Sequence, residues 1–397
     1  MNFSLSDIFN SQNKLADYYK KFNVSERLLF TGHSHQAWPD CAFEAQKQAW
    51  EDAALLIDDK WEKAFAKAEE VKHGYQKLLN DNSGFITLAS NTHELLIRFL
   101  SALPLKQKPK LITTDGEFHT IRRQLDRLTE EKIEIVKVDS KSPKVVELLI
   151  NKCDDRTAAV ILSAVFFQSG VILPNLSELA DFCKSKNIYL LVDAYHALNV
   201  IPFSINEHKL ESAFIIGGGY KYCQLGEGNC FLRFPKDCEL RPVITGWFSE
   251  FTALAHKKNG SEVIYGSGGD LFAGATYDST SNYRAAEVFS FFEKMNLTPG
   301  FLREVSQHQI NLLAGKFDEL NLNERIISRN KNIDLKNIAG FLVFTSKRAS
   351  DICTGLNQRG VLTDFRGNSL RFGPAPYISD DQIQQAIKLL GEVVNSL

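Results

Sequence analysis

The chain has 397 residues, 44% of them hydrophobic and 24% charged. That balance excludes disorder as the main state, and the length admits two or three domains, or one large domain with a smaller satellite. Lys and Arg total 46 against 48 Asp and Glu, a formal net charge of −2, so charge gives no reason to expect nucleic acid or an anionic membrane as partner.

The first residues, MNFSLSDIFNSQNKL, hold no basic stretch followed by an apolar core, so no signal peptide is expected. No segment approaches the roughly 20 apolar residues of a membrane helix. Amphipathic helices are expected over residues 42–57 and 62–79. A short apolar run at 85–90 precedes a helical stripe of Leu95, Leu96, Phe99, Leu100 and Leu103. Strands are expected at 110–114, 133–138, 158–165, 188–193 and 213–216, with helical patterns near 120–128, 144–151 and 176–185 between them. Apolar strands alternating with helices predict an α/β fold: a three-layer, mostly parallel sheet covered on both faces.

The last third reads differently. Helices are expected at 279–295 and 300–320, then a strand at 341–345, a helix at 351–358, strands at 361–365 and 370–372, and a helix at 380–394. This order suits a smaller C-terminal α+β domain. The expected division is an N-terminal segment (1–40), a large domain (41–275), and a linking helix with the small domain (276–397). A cleft between the two domains is the default place for a ligand.

The seven cysteines (Cys41, Cys153, Cys183, Cys223, Cys230, Cys238 and Cys353) are odd in number, dispersed and free of Cys-x-x-Cys spacing. They suit reduced thiols in a cytoplasmic protein. The nine histidines include no His-x-x-x-His or His-Glu-x-x-His set, so no metal is expected. His33 and His35 are the closest pair and read as loop or cofactor-edge residues. There is no Gly-x-Gly-x-x-Gly after the first strand and no phosphate-binding Gly-x-x-x-x-Gly-Lys loop, which disfavours nicotinamide and nucleotide-hydrolysis chemistry.

Residues 188–222 carry the most chemistry. An apolar strand ends in Asp193, and a second strand runs through Gly217, Gly218 and Gly219 into Tyr220 and Lys221. A carboxylate and an amine at the carboxyl ends of neighbouring strands sit at the rim where α/β proteins bind ligands. Such a pair suits pyridoxal 5'-phosphate (PLP), whose aldehyde condenses with a lysine and whose pyridine nitrogen is kept protonated by a carboxylate. A plain ion pair is the alternative. The cofactor's phosphate needs an anion site, and residues 85–90 followed by Asn91, Thr92 and Glu94 read as a strand entering a capped helix.

This order of motifs resembles fold-type I PLP enzymes of the class V aminotransferase group, most closely kynureninase, and the resemblance runs over nearly the whole chain. Phe30-Thr-Gly-His-Ser34 with Pro39 is similar to the family's Gly-Asn-Ser entry segment. The resemblance implies that Asn91 and Thr92 form the phosphate-binding turn and that Phe118 stacks on the pyridine ring. Ser163 would lie near the cofactor. In Asp193-Ala-Tyr-His196, similar to Asp-x-x-His, Asp193 would meet the pyridine nitrogen with His196 nearby. In Tyr220-Lys221-Tyr222, Lys221 would be the Schiff-base lysine and Tyr220 a phosphate contact. Gly246-Trp247-Phe248 resembles kynureninase's Gly-Trp-Phe, whose Trp lies by the cofactor. Arg371 resembles the arginine that binds the substrate carboxylate, and Asp364-Phe-Arg366 resembles Asp-Val-Arg.

The chain also departs from kynureninase. A tyrosine of that family falls where this chain has Phe167 or Gln168, and its substrate-contacting asparagine region reads Phe272-Ala-Gly-Ala-Thr-Tyr-Asp278 here, closer to the Gly-Thr of general class V aminotransferases. Thr276 would then reach a partner subunit's phosphate. The resemblance thus implies a homodimer with shared sites, an amino-acid substrate, and either hydrolysis of a kynurenine-like Cβ–Cγ bond or transamination. A cysteine desulfurase is a sibling reading that needs a reactive cysteine on a mobile loop. A non-catalytic sensor or scaffold is the remaining alternative.

Overall fold

The computed structural model describes residues 3–254 and 263–397. In chain order the first part holds α1 (Leu5–Phe9), β1 (Leu28–Leu29), α2 (Cys41–Leu56), α3 (Lys60–Leu78), β2 (Gly84–Ala89), α4 (Thr92–Ala102), β3 (Lys110–Thr114), α5 (His119–Glu130), β4 (Glu134–Val138) and α6 (Val145–Lys152). It continues through β5 (Thr157–Ser163), α7 (Leu176–Ser185), β6 (Tyr189–Asp193), β7 (Phe214–Gly218) and β8 (Cys230–Pro235).

Seven of these strands form one sheet in the order β2-β8-β7-β6-β5-β3-β4. Only β8 runs against its neighbours, pairing antiparallel with β2 and β7, while the other pairs are parallel. Strand β5, TAAVILS, is buried at every position, as a strand covered on both faces requires. Leu95, Phe99, Ile121 and Leu125 of α4 and α5 pack in one core cluster, and Leu149 of α6 and Leu179 of α7 pack in another. The expected three-layer architecture is therefore present.

Strand β8 was not expected, because Arg233 interrupts its apolar run. Tertiary structure satisfies that charge. The Arg233 side chain is fully buried; its Nε donates to Asp81 Oδ2 at 2.8 Å, Nη1 to the Glu211 and Ala213 carbonyls at 2.8 Å each, and Nη2 to Ser83 Oγ at 2.7 Å. A buried guanidinium is tolerable when paired and hydrogen-bonded in this way.

The remaining elements are α8 (Thr280–Lys294), α9 (Pro299–Glu319), β9 (Ser328–Arg329), β10 (Leu342–Thr345), α10 (Ala349–Asn357), β11 (Val361–Leu362), β12 (Asp364–Arg366), β13 (Ser369–Phe372) and α11 (Asp380–Asn395). Thr298 caps α9 ahead of Pro299, and Ser379 with Gln382 forms a capping box on α11. A four-stranded antiparallel sheet has the order β12-β13-β10-β9.

The single strand expected at 361–365 is two. Leu28 and Leu29 of β1 pair in parallel with Val361 and Leu362 of β11, while Asp364 to Arg366 turn to β13. Thr363 sits at the break and its hydroxyl donates to the Arg371 carbonyl. The N-terminal residues are thus woven into the C-terminal part, and Asn13 Nδ2 adds a bond to the Pro376 carbonyl at 2.8 Å. Among the described residues no helix is long and apolar enough to cross a membrane.

Candidate active site

The carboxyl ends of β5, β6 and β7 converge, with Ser163 and Asp193 directly paired across adjacent parallel strands. Lys221 follows β7 and is buried, and its Nζ lies 2.7 Å from Nε2 of His196. The rings of Tyr195, Phe118 and Tyr220 lie 4.8, 5.4 and 5.8 Å from that nitrogen. Burial pulls the Lys221 amine down to about 7, against the opposing pull of the Asp193 charge. Burial also holds His196 far below its usual range, with the Lys221 charge acting in the same direction, so the imidazole is neutral at neutral pH.

Asp193 ends β6, and its Oδ1 accepts from the Tyr195 backbone N–H at 2.8 Å. Burial pushes its carboxyl up, while that hydrogen bond and the Lys221 charge oppose the shift. Ser163 donates not outward but to Oε2 of Glu117, at 2.6 Å, and Thr114 Oγ1 donates to Glu117 Oε1, also at 2.6 Å. Glu117 is buried, which pushes its carboxyl up to about 7 despite the two hydroxyls.

Arg371 stands across from this group on β13. It is buried, with Nε donating to Asp364 Oδ1 at 2.8 Å, Nη2 to Asp364 Oδ2, and Nη1 to the Phe167 carbonyl at 2.8 Å. The Phe341 ring lies 5.8 Å from Arg371 Cζ and 4.7 Å from the His33 ring. Of the two residues expected at the kynureninase tyrosine position, Phe167 is the one inside, packed edge-on against Phe118 at 5.3 Å, while Gln168 is exposed.

The other expected contacts are more dispersed. Asn91 caps α4 by accepting from the Glu94 N–H at 3.0 Å, and Thr92 opens the helix. The Glu94 carboxylate does not close a capping box on the Asn91 backbone but accepts from Asn91 Nδ2 and from Arg98. Tyr220 stacks on His35, at 4.7 Å, and meets the tilted ring of Tyr195 at 4.9 Å. Trp247 and Thr276 pair with each other, Nε1 to Oγ1 at 3.2 Å, on exposed surface.

The family model for class-V aminotransferases matches residues 57–226, and the model for the kynureninase C-terminal domain matches residues 302–390. An uncharacterized aminotransferase, YcbU, of Bacillus subtilis is 20% identical over 86% of this chain and 87% of its own. The cysteine desulfurase IscS of Rickettsia prowazekii is 22% identical over 79% of this chain and 76% of its own. Among solved structures, a C-DES mutant with glycine covalently linked to its PLP cofactor superposes with a TM-score of 0.82 at 16% identity, covering 95% of this chain and 99% of that one. A cysteine desulfurase from Thermococcus onnurineus gives 0.80 at 15% identity over the whole of both chains.

The chain is a PLP-dependent enzyme of fold type I. The residues present in this PLP enzyme fit the cofactor. A buried amine with a lowered proton affinity suits condensation with an aldehyde, and the half-buried Asp193 carboxylate at the same sheet edge suits a pyridinium. Nδ1 of His196 is buried and without a hydrogen-bond partner within the protein, as a polar atom facing a bound group would be.

Three members of the cluster were not anticipated from sequence in these roles. Glu117 was not among the residues expected at the site. The signal was a carboxylate in the turn leaving β3, at the same sheet edge as Asp193. His33, expected as a loop or cofactor-edge residue, is buried, its Nε2 2.9 Å from Asp364 Oδ1. Asp364 was noted only for its motif and proves to be the partner of Arg371.

All seven cysteines are free thiols. Cys353 lies buried on α10 with Sγ 3.4 Å from the Thr363 carbonyl, and burial pushes its thiol up.

Proposed function

We propose that this enzyme hydrolyses the Cβ–Cγ bond of L-kynurenine or a related amino acid, giving alanine and an aromatic acid. The observation that carries this reading is the match of residues 302–390 to the kynureninase C-terminal domain, because that stretch contains both Arg371 and Asp364. PLP, when bound, supplies an electron-accepting ring that stabilises negative charge beside the substrate nitrogen. In this reading Asp193 holds the proton on the pyridine nitrogen and Phe118 covers the ring. Lys221 would hold the cofactor, and its amine is the base placed to take the substrate's α-proton. Burial has already lowered its proton affinity toward the range useful for a base at neutral pH. Arg371 binds the α-carboxylate with its planar fork. One water is consumed: its oxygen would bond to the γ-carbon, and a proton would go to Cβ as the Cβ–Cγ bond breaks, giving the aromatic acid and the alanine methyl group. Asn91, Thr92 and Tyr220 would hold the phosphate, Ser163 hydrogen-bonds Glu117, and His196 accepts a hydrogen bond from Lys221.

Trp247 and Thr276 act across a homodimer in this proposal. In their exposed pair Trp247 packs against Phe251, at 5.5 Å, an apolar side chain that is 42% exposed and that a second subunit would cover. The free thiols suit a cytoplasmic enzyme.

A second reading is transamination, favoured by Phe167, which brings no hydroxyl to the position where kynureninase has a tyrosine. A desulfurase that stores sulfur on its own cysteine is disfavoured by the buried, protonated Cys353. Incubation of the PLP-loaded enzyme with L-kynurenine, followed by anthranilate fluorescence, separates these readings. Release of anthranilate with one alanine per turnover is expected. Its absence, together with turnover of an amino acid and a keto acid, moves the assignment to transamination.

A further inference from the structure

The guanidinium of Arg371 has five N–H donors. Three are engaged: one on Nε and one on Nη2 by the Asp364 carboxylate, and one on Nη1 by the Phe167 carbonyl. Two remain, one on each terminal nitrogen, and can meet a carboxylate. Asp364 and Arg371 are opposite residues in the antiparallel β12–β13 pair, so backbone register itself brings them together.

Asp364 is held in turn. Burial alone would raise its carboxyl, but hydrogen bonds from His33 and Arg371 outweigh that and keep it ionised at neutral pH. An ionised Asp364 can only accept, so His33 donates from Nε2. His33 is buried and neutral, its proton affinity brought down to about 4 by burial against the opposing bond to Asp364. It comes from the N-terminal segment, which β1 stitches to β11.

We propose that Asp364, backed by His33, is the positioning residue for α-carboxylate recognition: it holds Nε and Nη2 of Arg371 so that the two remaining N–H groups are presented to the substrate. This inference rests on the reading of Arg371 as the carboxylate binder. Its physical basis is pre-organisation. A free arginine loses side-chain freedom when it binds, whereas one already clamped along one edge and at Nη1 has lost it on folding. The negative charge of Asp364 also makes a buried guanidinium tolerable before substrate arrives. The guanidinium lies close to the chemistry, since the Phe341 ring that packs on Arg371 also lies 5.9 Å from the ring of His196, the neighbour of Lys221.

The test uses PLP-loaded enzyme and two probes, L-alanine and ethylamine, the same amine skeleton with and without the carboxylate. Binding is read from the change in visible absorption. The wild type is expected to prefer L-alanine strongly. Asp364→Asn should cut that preference about 10-fold or more, through weaker L-alanine binding with ethylamine unchanged. His33→Gln should shift it the same way by less, and Asp364→Glu should restore part of it. An unchanged preference in Asp364→Asn overturns the proposal, and so does tighter L-alanine binding, which would make Asp364 a competitor for Arg371. If Asp364→Asn does not fold, His33→Gln decides by the same criterion. Arg371→Lys separates the two levels: a loss of preference there with none in Asp364→Asn or His33→Gln sinks only the positioning role. No effect of Arg371→Lys, or no response of the wild type to L-alanine, overturns the reading of Arg371 itself.

Discussion

Lys221 Nζ and His196 Nε2 lie 2.7 Å apart in a space closed to water. An ammonium there must find an acceptor, and the neutral imidazole is one. Because burial brings the amine down to about 7 from an ordinary 10.5, roughly half of it is neutral at pH 7. Capture of added PLP by the apoprotein, followed by visible absorbance, should therefore slow about 10-fold per unit as pH falls below 7. A midpoint above pH 9 would contradict this. Lys221→Ala should show no visible protein-bound band of this kind. The sign for stability follows from the same shift. Between pH 7 and 10.5 the unfolded chain binds more protons at this site than the folded one, so this group's contribution to apoprotein stability rises with pH.

Asp193 is the group placed to balance a pyridinium charge in this reading. Asp193→Asn keeps a hydrogen-bonding side chain but loses the charge. It should still bind PLP, with turnover lowered by about 100-fold or more. Near-normal turnover in a steady-state assay would remove that role.

Glu117 is buried under two hydroxyl donors, its carboxyl raised to about 7 from an ordinary 4.5. A raised acid favours folding below its unfolded value and loses that contribution as pH climbs through its folded value. Wild-type Tm should therefore carry a falling component between pH 4.5 and 7 that Glu117→Gln lacks. Parallel Tm-versus-pH curves for the two proteins would refute this.

Arg233 and Asp81 form a fully buried pair that ties β8 to the chain entering β2. Arg233→Met leaves Asp81 uncompensated and should cost about 3–5 kcal/mol in denaturant unfolding. The double change with Asp81→Ala should cost less than the sum of the two single changes.

Cys353 has a buried, protonated thiol. Cys353→Ala should keep the wild-type rate with the enzyme's amino-acid substrate, and no persulfide should appear at this position by mass spectrometry after incubation with cysteine. A persulfide there would revive the desulfurase reading.

Much of this protein was fixed locally. The runs ending in Asp193 and preceding Lys221 are apolar because a parallel strand covered on both faces has no polar face, and that pattern is visible one residue at a time. Helix α7 and strand β3 fall at the bounds that periodicity predicts, since each is a regular repeat closed by breaking residues. Pairings between distant segments were a different matter. Strand β8 was hidden because a buried arginine looks like a surface residue until Asp81 and three backbone carbonyls are brought to it. Glu117 and Ser163 are far apart in sequence, and only the adjacency of β3 and β5 joins them. The sequence determined which side chains could do PLP chemistry and at which sheet edge they would arrive. Tertiary structure alone decided that His33 backs the Asp364–Arg371 pair, because a hydrogen bond between segments more than 300 residues apart leaves no local pattern.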